Sequence, residues 1–262
     1  MDNQMKVKDA GQSPVGLHAT TINEVIASLD RIVDWSRLTA KRSGYFAALY
    51  RKVTIKVKEG IDTGYFDDGE RMEKLDVIFA NRYLDAFEQY HAGKPVTKVW
   101  QLGFELGEQW FPIVLHHLMI GMNAHINLDL GVAAAETVPE DKLADLEADF
   151  NKINEVLSDL VDEVENDLGK IWPFFKVLDR VAGRLDERLA DTGMAFARDR
   201  AWQFALDYAA SNNKKKSLEE MDRKMFLTGK LFLAPGLFKN IILFCIRIGE
   251  LGSVRKKIAV LE

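Results

Sequence analysis

Between Leu143 and Leu168 the large apolar residues fall at Leu143, Leu146, Phe150, Ile153, Leu157, Leu160, Val164 and Leu168. Every step is three or four residues, the spacing that lays one stripe along an α-helix and that no strand can use. The segment opens at Thr137-Val-Pro-Glu140, a helix-start pattern. From Pro139 to Asp167 it carries 11 acidic and 2 basic residues, a net of −9. Two readings fit: a coiled-coil seam, or an amphipathic bundle helix with a solvated acidic face. Like charges would flank the seam in a pair of identical parallel helices, so this helix is expected to pack within its own chain.

The same spacing recurs elsewhere, and with 6 prolines in 262 residues long helices have room. Thr21-Ile-Asn-Glu24 is a capping box, followed by Val25, Leu29, Ile32 and Val33. Further helices are predicted over 43–59 (ended by Gly60), 70–90, around Trp100 and Phe104, and over 112–131, 174–191, 194–210, 217–233 and 237–257. No convincing strand pattern, repeat or Gly-rich linker interrupts them. The expectation is an all-α fold, a single-domain multi-helix bundle with a buried polar central helix. It would span 20–262, behind a flexible N-terminal tail, 1–19.

The net charge is −5, which argues against a nucleic-acid partner. From Asn212 to Lys257 the balance reverses, with 11 basic and 4 acidic residues, a patch that the acidic helix could face. The single cysteine, Cys245, excludes an internal disulfide and a Cys-based zinc site, sits in an apolar run as a core residue, and fits a reducing cytoplasm. The first residues, MDNQMKVKDAGQSP, lack the apolar core of a secretory signal. The longest uncharged run, Gln109 to Leu128, approaches the ~20 residues of a membrane span but holds three His, two Asn, a Gln and a Pro. It reads as a helix buried in protein, and the chain as not membrane-spanning, with a monomer favoured.

Plotted at about 100° per residue, residues 112–131 give two polar stripes separated by apolar ones. One holds His116, Asn123 and Asn127; the other, His125 and Asp129. A surface helix would have one polar face, so this one is expected to be enclosed, with every polar group needing a partner. Gly121 and Ala124 would let a neighbour approach closely. His125 and Asp129 stand one turn apart. Asp129 could orient the imidazole as a general base, both could ligate a metal with carboxylates from other helices, or the pair could tie helices together. No Glu-x-x-His or His-Glu-x-x-His occurs, so no metal is assigned, and the adjacent His116 and His117 diverge too far to share an ion.

A second wall is expected on helix 70–90, where Asp76, Phe79, Ala80, Tyr83 and Phe87 share a face. A carboxyl among aromatics is desolvated, which raises its pKa unless a cation or hydroxyl compensates. Arg82 falls on a different face, with Asp85 as its expected partner. Trp100, Trp110, Trp172 and Trp202 read as core.

Three runs carry a family resemblance: Gly121-Met-Asn-Ala-His-Ile-Asn-Leu-Asp-Leu130, Leu75-Asp-Val-Ile-Phe-Ala-Asn-Arg-Tyr-Leu-Asp-Ala86 and Arg198-Asp-Arg-Ala-Trp202. They resemble segments of a bacterial family of all-helical proteins designated a domain of unknown function. The resemblance implies an all-helical single domain and brings no activity. It directs attention to Asp76, Asn81, Tyr83, Asn123, His125, Asn127 and Asp129.

Phosphate-cradling Gly motifs and nucleophile elbows are absent, and no cofactor is identified. The first expectation is therefore an enzyme or binding protein for a small-molecule ligand, with the reaction class left open and hydrolysis as one option. His125 would be the base and Asp129 its orienting partner, with Asn123, Asn127, Asp76 and Tyr83 lining the ligand. The alternative is a non-catalytic scaffold or interaction protein in which these residues form a structural hydrogen-bond network.

Overall fold

A computed structural model of the chain describes residues 11–173, 185–233, 243–244 and 246–262. It is 79% helical, and no strand occurs among the described residues. The labelled α-helices are α1 (Ile22–Thr39), α2 (Gly44–Asp62), α3 (Gly69–His91), α4 (Lys98–Gly107), α5 (Val114–Ala124), α6 (Leu130–Thr137), α7 (Leu143–Ile171), α8 (Leu185–Ala209), α9 (Lys214–Leu233) and α10 (Val254–Leu261). A π-helical turn, His125–Asp129, joins α5 to α6.

Local sequence explains several helix ends. At the start of α1 the Thr21 hydroxyl accepts the Glu24 N–H at 3.2 Å. The Glu24 carboxylate turns back on the start of the helix, facing the Thr21 N–H as the box requires and also accepting from the Thr20 N–H and hydroxyl, both at 2.7 Å. Helix α2 does not stop at Gly60 but runs through it to Asp62. The Phe66 ring packs where a Gly60 side chain would stand, 2.8 Å from an ideal Cβ. The turn is made later by Gly64, at a left-handed φ of 69°.

The α5–π turn–α6 rod is the centre of the bundle. The α2 and α4 helices pack on α5, α3 and α8 on the π turn and α6, and α9 along α4, α5 and the turn. The expected buried central helix is therefore present, and close approach depends on its glycines. An added Cβ at Gly121 would lie 2.3 Å from the Phe46 ring, and one at Gly131 2.8 Å from the Ala201 carbonyl oxygen.

Along α7, Leu143, Leu146, Phe150, Ile153, Leu160 and Leu168 are buried within the chain. Its acidic face is not wholly solvated, as expected from charge alone. Asp149 is fully buried, accepts the Asp67 and Asp68 N–H groups at 2.7 and 3.0 Å, and pairs with Arg71. Thr137 closes α6 rather than opening α7, which starts after a short 3-10 turn at 140–142.

Other expectations need correction. The end of the segment read as a loose tail is part of the core. Leu17 and Ala19 are buried, and the Asn81 amide holds the Ala19 backbone through two hydrogen bonds of 2.8 Å. Residues 1–10 lie outside the described residues. So do most of helix 174–191, Cys245, Leu157 as a side chain, and residues 237–242 of the last predicted helix. That last helix is not continuous to 257, because Gly252 turns the chain at φ 84° before α10. Trp110, assigned to the core, is 57% exposed and carries Arg247 over its ring.

Two helices of the central region are capped from far away. Asp222 on α9 accepts the N–H groups of Lys98 and Val99, both at 2.9 Å, closing the start of α4. Glu250 accepts the Val114 N–H at 2.7 Å, closing the start of α5. These carboxylates satisfy donors that no residue inside either helix can reach, and oppose the positive helix end.

Candidate functional site

The π turn is the pivot of the site. Its backbone bond runs from the Leu130 N–H to the His125 carbonyl, five residues back. This adds one residue to the turn and offsets everything beyond it. Within it, His125 and Asp129 are both almost fully buried and share one side, with the ring Nδ1 3.4 Å from Asp129 Oδ2. A straight helix over 112–131 already pairs His125 with Asp129 at i,i+4, but the π offset has no local signal.

Asp129 gathers donors from three elements. Arg82 Nε donates to Oδ1 at 2.8 Å, Trp100 Nε1 to Oδ2 at 2.8 Å, and the His125 ring faces Oδ2. Arg82 therefore does not pair with Asp85, which lies instead 3.1 Å from the His18 ring. Sequence spacing offered the local partner because Asp129 lies 47 residues away. Burial alone would raise the Asp129 pKa. The Arg82 guanidinium, with His125 and Trp100, outweighs burial and holds the carboxyl below its usual range. Burial, only partly offset by Asp129, depresses the His125 pKa. The pair is thus a neutral imidazole beside a carboxylate. That carboxylate is acceptor-only and calls for a proton on Nδ1, leaving a lone pair on Nε2.

The His125 ring is enclosed by aromatics. Phe79 stacks on it at 3.6 Å between centroids, Tyr50 meets it edge-on at 4.3 Å, and Phe46, Tyr83 and Trp100 lie at about 6 Å. Its Nε2 is buried with no hydrogen-bond partner, and two further buried atoms in this region share that condition: Asp76 Oδ2 and the Tyr50 hydroxyl. The Thr54 hydroxyl beside Tyr50 is donated to the Tyr50 carbonyl at 3.0 Å. Burial and then the Asp76 and Asp129 charges raise the Tyr50 phenol pKa, so Asp76 lies within electrostatic reach of it. The Asp76 carboxyl is itself pushed up to about 7, by burial first and then by Glu73. Tyr83 is buried, and its phenol pKa is raised by that burial.

The other expected site residues go elsewhere. Asn123 donates to the Met225 carbonyl of α9 at 2.9 Å, and Asn127 donates to Asn123 at 3.3 Å. That chain faces α9, whereas His125 faces α2, α3 and α4. Asn81 is used on the Ala19 backbone. The structure thus brings His125, Asp129, Asp76 and Tyr83 toward one aromatic enclosure and leaves the two asparagines outside it. Sequence reasoning missed Tyr50, Arg82 and the carboxylate-binding role of Trp100. Nothing in the local sequence links any of them to His125. Among the described residues no three His, Cys, Asp or Glu side chains converge as a metal site would require, and no helix is long and apolar enough to cross a membrane.

An all-helical bundle wrapped around a polar central rod is the class these features define. The chain belongs to the Family of unknown function (DUF5995), which it matches over residues 22–235. All three runs singled out from sequence fall inside that match. No curated protein and no solved structure matches the chain.

Proposed function

We propose that this protein binds a small molecule at His125 and uses the ring as a general base. The observation that carries the reading is the buried, unpartnered Nε2 of a histidine whose other nitrogen faces an ionised carboxylate. A buried polar atom without a partner costs about 1–3 kcal/mol, and such a cost is tolerated where a ligand or reacting group supplies the missing bond. In a hydrolytic reaction Nε2 would accept a proton from a bound water. Asp129 would stabilise the imidazolium through Nδ1–H, while Arg82 and Trp100 keep Asp129 in place. The net charge of −5 and the single cysteine support a small-molecule rather than nucleic-acid partner, and a cytoplasmic setting.

The close stacking of Phe79 on His125 favours a second reading, a packed structural network. The two separate on ring-nitrogen NMR during a fragment screen. A site predicts an Nδ1-protonated ring whose Nε2 resonance moves with at least one compound, and binding lost in a folded His125→Gln variant. A His125 resonance that no fragment moves would establish the network instead.

A further inference from the structure

Within that proposed site, the groups left unpartnered differ in kind from those already used. The donors shown beside His125 are committed: Arg82 Nε and Trp100 Nε1 to Asp129, and the Thr54 hydroxyl to a backbone carbonyl. What remains is a ring lone pair, a carboxylate oxygen and one tyrosine hydroxyl. Three cations on the flanking helices are also committed. Lys74 donates to the Thr137 carbonyl, Lys52 to Glu163 and Asp167, and Arg71 to Asp149. Among the described residues Asp76 has neither a hydrogen-bond partner nor a neighbouring cation, and Glu73 adds charge of its own sign.

An acceptor-rich lining of this kind rejects a carboxylate or phosphate, which would bring more acceptors and more negative charge. It is complementary to a group that brings N–H donors and a positive charge. Aromatic faces favour the same group, because a cation is attracted to the face of a ring within about 6 Å. Phe79 and Tyr83 follow Asp76 on its own helix face, and Tyr50 approaches from α2.

We infer that the ligand is an organic cation, a protonated amine, whose ammonium group is received by the Asp76 carboxylate and the Tyr50 hydroxyl among the rings of Phe79 and Tyr83. This assignment rests on the His125 site proposed above and names the chemistry that site selects. His125 Nε2 then faces the remainder of the bound amine, where a base would act.

The test uses matched probes on the full chain: methylamine and benzylamine, methanol and benzyl alcohol, formate and benzoate. Binding is followed by calorimetry and by the His125 ring-nitrogen resonances. The expected result is binding by an amine, with the alcohol and carboxylate of the same size weaker by at least about tenfold, the scale of a lost buried charge pair. Asp76→Asn should remove that preference, and Tyr50→Phe should weaken the amine several-fold; thermal melts report whether each variant is folded. Alcohols or carboxylates that move His125 as strongly as amines, with Asp76→Asn unchanged, would overturn the cation assignment and leave the site standing. If amines fail while other fragments move His125, only the cation assignment falls. If nothing moves His125, both fall.

Discussion

Asp129 and Asp76 are both buried carboxyls a few residues from an aromatic wall, yet their partners set them apart. Asp129 has three donors, one of them a guanidinium, and stays ionised. Removing it in Asp129→Ala should cost about 3–5 kcal/mol in denaturant melts, because Arg82, Trp100 and His125 lose their acceptor together. Asp129→Asn, which keeps an acceptor oxygen, should cost less and should alter the His125 tautomer seen by NMR. Asp76 has no such partner, and its pKa rises from an ordinary 3.8 to about 7. The native state holds its proton more tightly than the unfolded chain does, so it contributes nothing unfavourable below pH 4. It destabilises the protein progressively as pH rises from about 4 to 7, and levels off above. At about 1.4 kcal/mol per pH unit the ceiling is on the order of 4 kcal/mol. Asp76→Asn should therefore match the wild type below pH 4 and exceed its stability above pH 7. Equal melts across that range would show that Asp76 is not desolvated.

At the scale of elements, the spacing of apolar residues placed most helices, because a stripe that must face a core is written in every third or fourth position. What it could not place were interruptions. Gly60 reads as a stop by type, but it lies inside α2 because the Phe66 ring fills the space beside it. The π turn leaves the residue pattern unchanged while shifting its phase, so α6 meets α8 at an angle that the straight-helix plot does not give. Of the candidate site, the i,i+4 pair and the Asp76 face were legible locally. Tyr50 and Arg82 were not, since their link to His125 and Asp129 exists only after α2 and α3 have packed on the rod. The contact between α6 and α8 makes a signed prediction at Gly131. In an open helix, Gly→Ala stabilises by up to about 1 kcal/mol. Here the added Cβ would meet the Ala201 carbonyl oxygen at 2.8 Å, a backbone atom that cannot rotate away. Gly131→Ala should instead destabilise by about 1–3 kcal/mol; a stabilised variant would show that α8 gives way.

Over the whole molecule, short helices depend on remote parts of the chain. Helix α4 is 10 residues long, below the ~12–15 needed for an isolated helix in water. Its first N–H groups are held by Asp222, more than a hundred residues later. Native-state hydrogen exchange should show the Lys98 and Val99 amides opening together with α9. In Asp222→Ala they should lose protection before the α1 and α3 cores do. Protection unchanged by that substitution would mean that α4 is held by its apolar contacts alone. Every residue around His125 lies between Phe46 and Asp129, yet the carboxylates that close α4 and α5 arrive at 222 and 250. During synthesis from the N-terminus, the residues that enclose His125 therefore leave the ribosome long before the groups that fasten their helices. A fragment trimmed to residues 46–129 would carry the enclosure's side chains without the remote groups that hold its helices in place.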